Sequence, residues 1–130
     1  MASKESPRLR ILVVDDEALI RWSLVETLSD SGHEVVAVTD AESAVQVAMD
    51  AATPFDVALL DFRLPDSNDL TLLSRLRRLT PTTRIILMTA YGTPEIFQGA
   101  LDLGAYCVIN KPFEMNALSP LVSQAHTSRF

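Results

Sequence analysis

Four short apolar runs, each ending at a polar residue, constrain this chain more than any other feature in it. Ile11-Leu12-Val13-Val14 runs into Asp15-Asp16-Glu17, and Val57-Ala58-Leu59-Leu60 runs into Asp61. Ile85-Ile86-Leu87-Met88 runs into Thr89, and Tyr106-Cys107-Val108-Ile109 runs into Asn110 and Lys111-Pro112. Segments this short, apolar at every position, suit strands buried on both faces. Residues 34–38 read as one more strand. Between the strands lie longer stretches with apolar residues at helical spacing, such as Ala18, Leu19, Trp22, Val25 and Leu28, or Leu70, Leu73 and Leu76. The order is βα repeated five times, which implies one parallel sheet with helices on both faces. Right-handed crossovers and the strand count select the order 2-1-3-4-5, a flavodoxin-like α/β fold.

Punctuation supports the helix boundaries. Gly32 is placed to end the first helix. Thr39 and Glu42 have the spacing of a capping box for an alanine-rich helix that ends near Asp50. Thr93-Pro94 suits the start of the fourth helix, which Gly104 ends; the last starts either near Asn116 or at Ser119-Pro120, with Ser119 the favoured cap because proline fits the first helical position.

The 130 residues fit a single domain over residues 9–130, preceded by a polar tail at 1–8. Hydrophobic residues make up 48% of the chain, which argues against disorder, and no apolar run approaches the ~18 residues of a membrane span. A formal charge of −6 argues against direct nucleic-acid binding, which needs a basic surface. Arg75, Arg77 and Arg78 interleave with Leu76 and Leu79 and read as a solvated helix face. Cys107 is the sole cysteine, so no internal disulfide forms; its apolar setting implies a buried thiol and a reducing compartment.

In a parallel sheet all the polar strand endings fall on one edge. Strands 1 and 3 flank the topological switch point, where such sheets bind ligands, and this brings Asp15, Asp16 and Asp61 to one crevice. Three clustered carboxylates repel one another, and a hard cation with oxygen ligands, Mg²⁺, relieves that repulsion. Asp61, alone at its strand end, is the candidate nucleophile for a phosphoryl group. Lys111 and the Thr89 hydroxyl are candidates to neutralise and hydrogen-bond the phosphoryl oxygens. Taken singly, each has a plain structural role: helix cap, loop acid, strand threonine, solvated lysine. Four strand endings carrying compatible groups favour the joint reading.

The motifs Val13-Val14-Asp15-Asp16-Glu17, Leu60-Asp61-Phe62-Arg63-Leu64-Pro65-Asp66, Met88-Thr89-Ala90 and Lys111-Pro112-Phe113 resemble those of response-regulator receiver domains of two-component signalling. The resemblance covers residues 9–126. It implies that Asp61 accepts phosphate from a sensor histidine kinase, and that the domain catalyses at most its own phosphorylation and dephosphorylation. It implies Mg²⁺ bound by Asp15, Asp16, Asp61 and the Arg63 backbone carbonyl, with Thr89 and Lys111 as switch and phosphate contacts. It implies a cytoplasmic location. Ile20-Arg21-Trp22-Ser23-Leu24 resembles the first helix of receivers joined to sigma-54-dependent activators, which implies a longer protein with an output domain, a transcriptional role and a homodimer as one assembly. The expected output face is formed by the fourth helix, fifth strand and last helix, with Tyr91, Ile96, Phe97, Tyr106 and Val108 as its candidate residues.

Two positions depart from the family pattern. The usual aromatic three residues before the lysine is Val108, with Tyr106 two residues earlier and, by strand parity, on the same face. The usual glycine eight residues after the nucleophile is Asp69, which can instead cap the following helix. Of the competing readings, a flavin site is disfavoured because an Asp-Asp-Glu loop repels phosphate. An aspartyl phosphatase is disfavoured because Arg63 stands where a general acid is needed. A pseudo-receiver that docks partners without phosphorylation is the remaining alternative; Val108 leaves it open, and the intact set of Asp15, Asp16, Asp61, Thr89 and Lys111 argues against it.

Overall fold

The computed structural model describes residues 8–90 and 92–127. The expected tail lies outside the described residues except for Arg8, which is exposed. Five strands, β1 (Arg10–Val14), β2 (Glu34–Val38), β3 (Val57–Asp61), β4 (Arg84–Thr89) and β5 (Cys107–Asn110), alternate with α1 (Ala18–Asp30), α2 (Ala41–Asp50), α3 (Thr71–Leu79), α4 (Pro94–Asp102) and α5 (Leu118–Thr127). The sheet is parallel throughout, in the order β2-β1-β3-β4-β5. Among the described residues no helix is long and apolar enough to cross a membrane.

Period-two alternation divides the core into two layers. Leu12, Val14, Ala58, Leu60, Ile85 and Leu87 face α2, α3 and α4, where they meet Ala44, Val45, Leu72, Leu73, Leu76 and Ala100. Ile11, Val13, Val57, Leu59, Ile86 and Met88 face α1 and α5, where they meet Leu24, Leu28, Leu118 and Val122. Each large aliphatic side chain buried this way contributes about 1.5–3 kcal/mol, so both faces hold β1, β3 and β4 firmly in register. That register sets Val14 beside Leu60, Asp61 beside Met88 and Thr89 beside Asn110.

Three local expectations change. The cap of α2 is Asp40, one residue beyond the expected Thr39: Asp40 Oδ1 accepts from the Ser43 amide at 2.7 Å, and the Thr39 hydroxyl donates to the Asp40 carboxylate instead. Asp66, 25 residues away, accepts from the next two free amides of that helix, Ala41 at 2.8 Å and Glu42 at 3.0 Å. The last helix starts at Leu118, fed by a 3₁₀ turn at Met115–Ala117, so Ser119 is not its cap. Pro120 is tolerated there because the first-turn amides of a helix have no partner within it. Tyr106 precedes β5 and packs with the α1/α5 layer, whereas Val108 packs with the opposite one, so strand parity does not carry back to Tyr106.

Other boundaries follow the sequence. Thr93 accepts from the Ile96 amide at the start of α4. Gly32 and Gly104 adopt positive φ just beyond α1 and α4. No other described residue does so, and Asp69 accepts from the Thr71 amide at 2.9 Å to open α3. The Lys111-Pro112 peptide is cis.

Candidate functional site

β1 and β3 deliver Asp15 and Asp61 to the same end of the sheet as adjacent strands, and β4 and β5 deliver Thr89 and Lys111 beside them. Asp15 is fully buried, while Asp61 and Thr89 are 7% and 1% exposed. Ligand oxygens of Asp15, Asp16 and Asp61 all lie within 4.8 Å of one another, with Asp16 on the solvent side. The Lys111 ammonium donates to Asp15 Oδ2 at 2.8 Å and lies 3.3 Å from Asp61 Oδ2.

These positions perturb both charges. Burial, then the Asp15 charge, pushes the Asp61 carboxyl up to about 6, against the opposing pull of Lys111. Burial alone would lower Lys111; its hydrogen bond to Asp15 and the charge of Asp61 outweigh that and raise it. The lysine thus stays cationic and screens a carboxylate pair that would otherwise resist ionisation. At neutral pH Asp61 is largely ionised and needs no general base to act as a nucleophile.

The backbone around the acids is fixed. Asp15 Oδ1 accepts from the Glu17 amide at 2.9 Å, and the Arg63 amide approaches Asp61 Oδ1 at 3.4 Å. The Lys111 amide donates to the Thr89 carbonyl at 2.8 Å, so the two phosphate-contact candidates share a backbone bond.

Two contributors escaped the sequence reading. Glu17 accepts from the Lys111 ammonium at 3.2 Å, and Arg21 Nη1 donates to the Asp15 carbonyl at 2.9 Å. The Asp-Asp-Glu run contained the first signal; the second had only the position of Arg21 in the first turn of α1. Of the output-face candidates, Tyr91 lies outside the described residues. Ile96 and Val108 pack against the α2/α3 layer, whereas Phe97, half-buried, belongs to neither layer. Cys107 is half-buried, and burial raises its thiol, in keeping with a structural role.

A five-stranded 2-1-3-4-5 sheet carries an acid crevice at its switch point, with a strand-end hydroxyl and an ion-paired lysine beside it, the architecture of a doubly wound α/β domain with a polar site at the carboxyl ends of its strands. The family model of the response regulator receiver domain matches residues 11–123, and the chain belongs to that family.

Its curated relatives include response regulator protein FleR of Pseudomonas aeruginosa, 36% identical over 88% of this chain and 24% of that protein. They also include the DNA-binding transcriptional regulator NtrC of Azospirillum brasilense, 34% identical over 91% of this chain and 24% of that protein. The chain therefore spans about a quarter of the length of these relatives. By contrast, sporulation initiation phosphotransferase F of Bacillus subtilis is matched over 91% of its length, at 29% identity over 88% of this chain. Among solved structures, a CheY-like receiver domain protein from Methanospirillum hungatei superimposes with a TM-score of 0.85 at 30% identity, covering 91% of this chain and 93% of that one. NtrX of Brucella abortus superimposes with a TM-score of 0.82 at 34% identity, over 92% of this chain and 28% of that one. The chain is a receiver domain of two-component signalling.

Proposed function

We propose that the domain takes a phosphoryl group from a sensor histidine kinase onto Asp61, with Mg²⁺ in the acid crevice, and switches an output domain or partner through its α4-β5-α5 face. The observation that carries this reading is the Asp61 carboxylate, set within 4.8 Å of two further acids and 3.3 Å from the Lys111 ammonium. The oxygen-only donor set of Asp15, Asp16 and Asp61, with Asp16 open to solvent, fits a hard divalent cation that keeps some of its waters. The Arg63 carbonyl is the fourth protein ligand in this reading. When bound, such an ion supplies positive charge opposite the oxygens of the transferring group.

This chain's own residues do the rest. Asp61 attacks phosphorus in line; its oxygen forms the new P–O bond while the P–N bond of the donor breaks and its electron pair stays on the imidazole. Lys111 leaves Asp61 to pair with a phosphoryl oxygen, remaining tethered to Asp15 and Glu17. The Thr89 hydroxyl turns to another phosphoryl oxygen, drawing the β4–α4 loop toward the site. With a length of about a quarter of its activator-like relatives, the chain fits the regulatory part of a larger transcriptional regulator acting in the cytoplasm, with homodimerisation as one output.

Incubation with acetyl phosphate and Mg²⁺, followed by intact-mass analysis, tests this. One hydroxylamine-labile phosphoryl adduct is expected, absent with EDTA and absent in Asp61→Asn. A persistent adduct in Asp61→Asn sinks the site assignment, and no adduct in the unsubstituted protein favours the pseudo-receiver.

A further inference from the structure

The unexplained part of the switch is its reporter. Val108 occupies the position of the family's usual aromatic, and it packs, partly buried, against the α2/α3 layer. Tyr106 packs on the far side of the sheet, against the α1/α5 layer, and cannot take over. Phe97 in the first half of α4 is different. It is half-buried yet outside both layers. A methyl group placed on Gly92 would overlap Phe97 Cε1, lie 3.1 Å from Phe97 Cζ and lie 3.0 Å from Asn110 Oδ1. The ring edge and the Asn110 side chain therefore converge on one point above the β4–α4 loop.

That point joins the two phosphate-contact strands. Asn110 is the register partner of Thr89 and precedes Lys111, whose amide bonds the Thr89 carbonyl. Gly92 lies three residues beyond Thr89, and the Phe97 amide is anchored to the Thr93 carbonyl at 2.9 Å. The Gly92 backbone thus lies under the ring edge, and the ring belongs to α4.

We propose that Phe97 is the positioning residue that relays the Thr89 displacement to α4, by riding on Gly92 beside Asn110. This rests on the reading of Asp61 as phosphoacceptor, and it supplies the aromatic that Val108 lacks from a different element. An alanine at Gly92 would meet the Phe97 ring and the Asn110 side chain. Packed contacts of this kind have discrete arrangements, which lets a small shift at one end become a helix movement at the other.

The test is a set of amide chemical-shift maps, with and without Mg²⁺ and beryllofluoride, on the unsubstituted domain, Phe97→Ala, Phe97→Tyr and Gly92→Ala. Each protein is also assayed for the acetyl phosphate adduct. In the unsubstituted domain, shift changes are expected around Asp61, Thr89 and Lys111 and along α4. In Phe97→Ala the adduct and the changes near Asp61 remain while those along α4 are lost, and Phe97→Tyr restores them. Gly92→Ala should perturb α4 without any phosphoryl analogue, and should add nothing in a Phe97→Ala background. Full α4 changes in Phe97→Ala overturn the relay, as does an unsubstituted domain that binds the analogue with α4 unmoved. Absence of the adduct in the unsubstituted domain instead refutes the phosphoacceptor reading, and the relay with it.

Discussion

Replacing Asp61 by asparagine is expected to stabilise the metal-free domain while abolishing its acceptor function. Asp61 is 7% exposed, beside Asp15, and its carboxyl is raised from 3.8 to about 6 by burial and that neighbouring charge. A folded-state value above the unfolded one means that the fold favours the protonated acid. Its stabilising contribution is complete below the unfolded value and is lost as pH rises through the folded one. A raise of about two units, at about 1.4 kcal/mol per unit, places the cost of the ionised carboxylate at about 3 kcal/mol at neutral pH. Asparagine removes the charge and leaves Lys111 paired with Asp15 and Glu17. For a chain of this length about 3 kcal/mol corresponds to a rise in Tm of roughly 10 °C. Urea unfolding of both proteins in EDTA, at about pH 7.5 and about pH 4, is the assay; the difference should shrink to under about 1 kcal/mol at the lower pH. Equal midpoints at neutral pH, or a difference that does not shrink with acid, would refute the reasoning.

Other outcomes follow from separate features. Buried His33 accepts the Leu9 amide on Nδ1 at 3.1 Å, and burial lowers it below 6.5 despite the Asp56 charge. In an Asp61→Asn background, stability should be full above about pH 6.5 and fall as acid carries the medium through the lower folded value, with His33→Gln flattening the slope. Asp66→Ala removes acceptors from two α2 amides and should cost about 1–2 kcal/mol in urea unfolding. Gly104→Ala should cost more than Gly32→Ala in thermal unfolding. Both have positive φ, but only at Gly104 would the new methyl meet a side chain, Arg77 Nε at 2.6 Å. Mg²⁺ should raise the Tm of the unsubstituted domain and not that of Asp16→Ala, whose exposed side chain leaves the metal-free fold unchanged.

The strands and the acid crevice were readable because each depends on near neighbours in sequence. An apolar run and the polar residue ending it reveal a buried strand and the side chain at its tip, and parallel topology then aligns Asp15, Asp61, Thr89 and Lys111. What was not readable depends on distant pairing. Asp66 caps a helix 25 residues upstream, so local spacing favoured Thr39 over Asp40. Glu17 reaches Lys111 across 94 residues. The side taken by Tyr106 depends on where β5 begins, one residue later than the apolar run suggests. The contact of Phe97 with the Gly92 loop likewise follows from how α4 docks, and helical periodicity does not encode it.

The two amides of α2 held by Asp66 also bear on timing. They tie the segment that follows Asp61 to a helix on another part of the sheet, five residues past that strand end. The entropy lost in fixing that segment is taken when the chain folds, not when a ligand arrives. In the role proposed for the crevice, an incoming ion or phosphodonor would therefore meet a finished cradle on this side, its capture rate governed by diffusion and charge. Conformational delay, where it exists, belongs to the opposite side of the crevice, between Thr89 and α4.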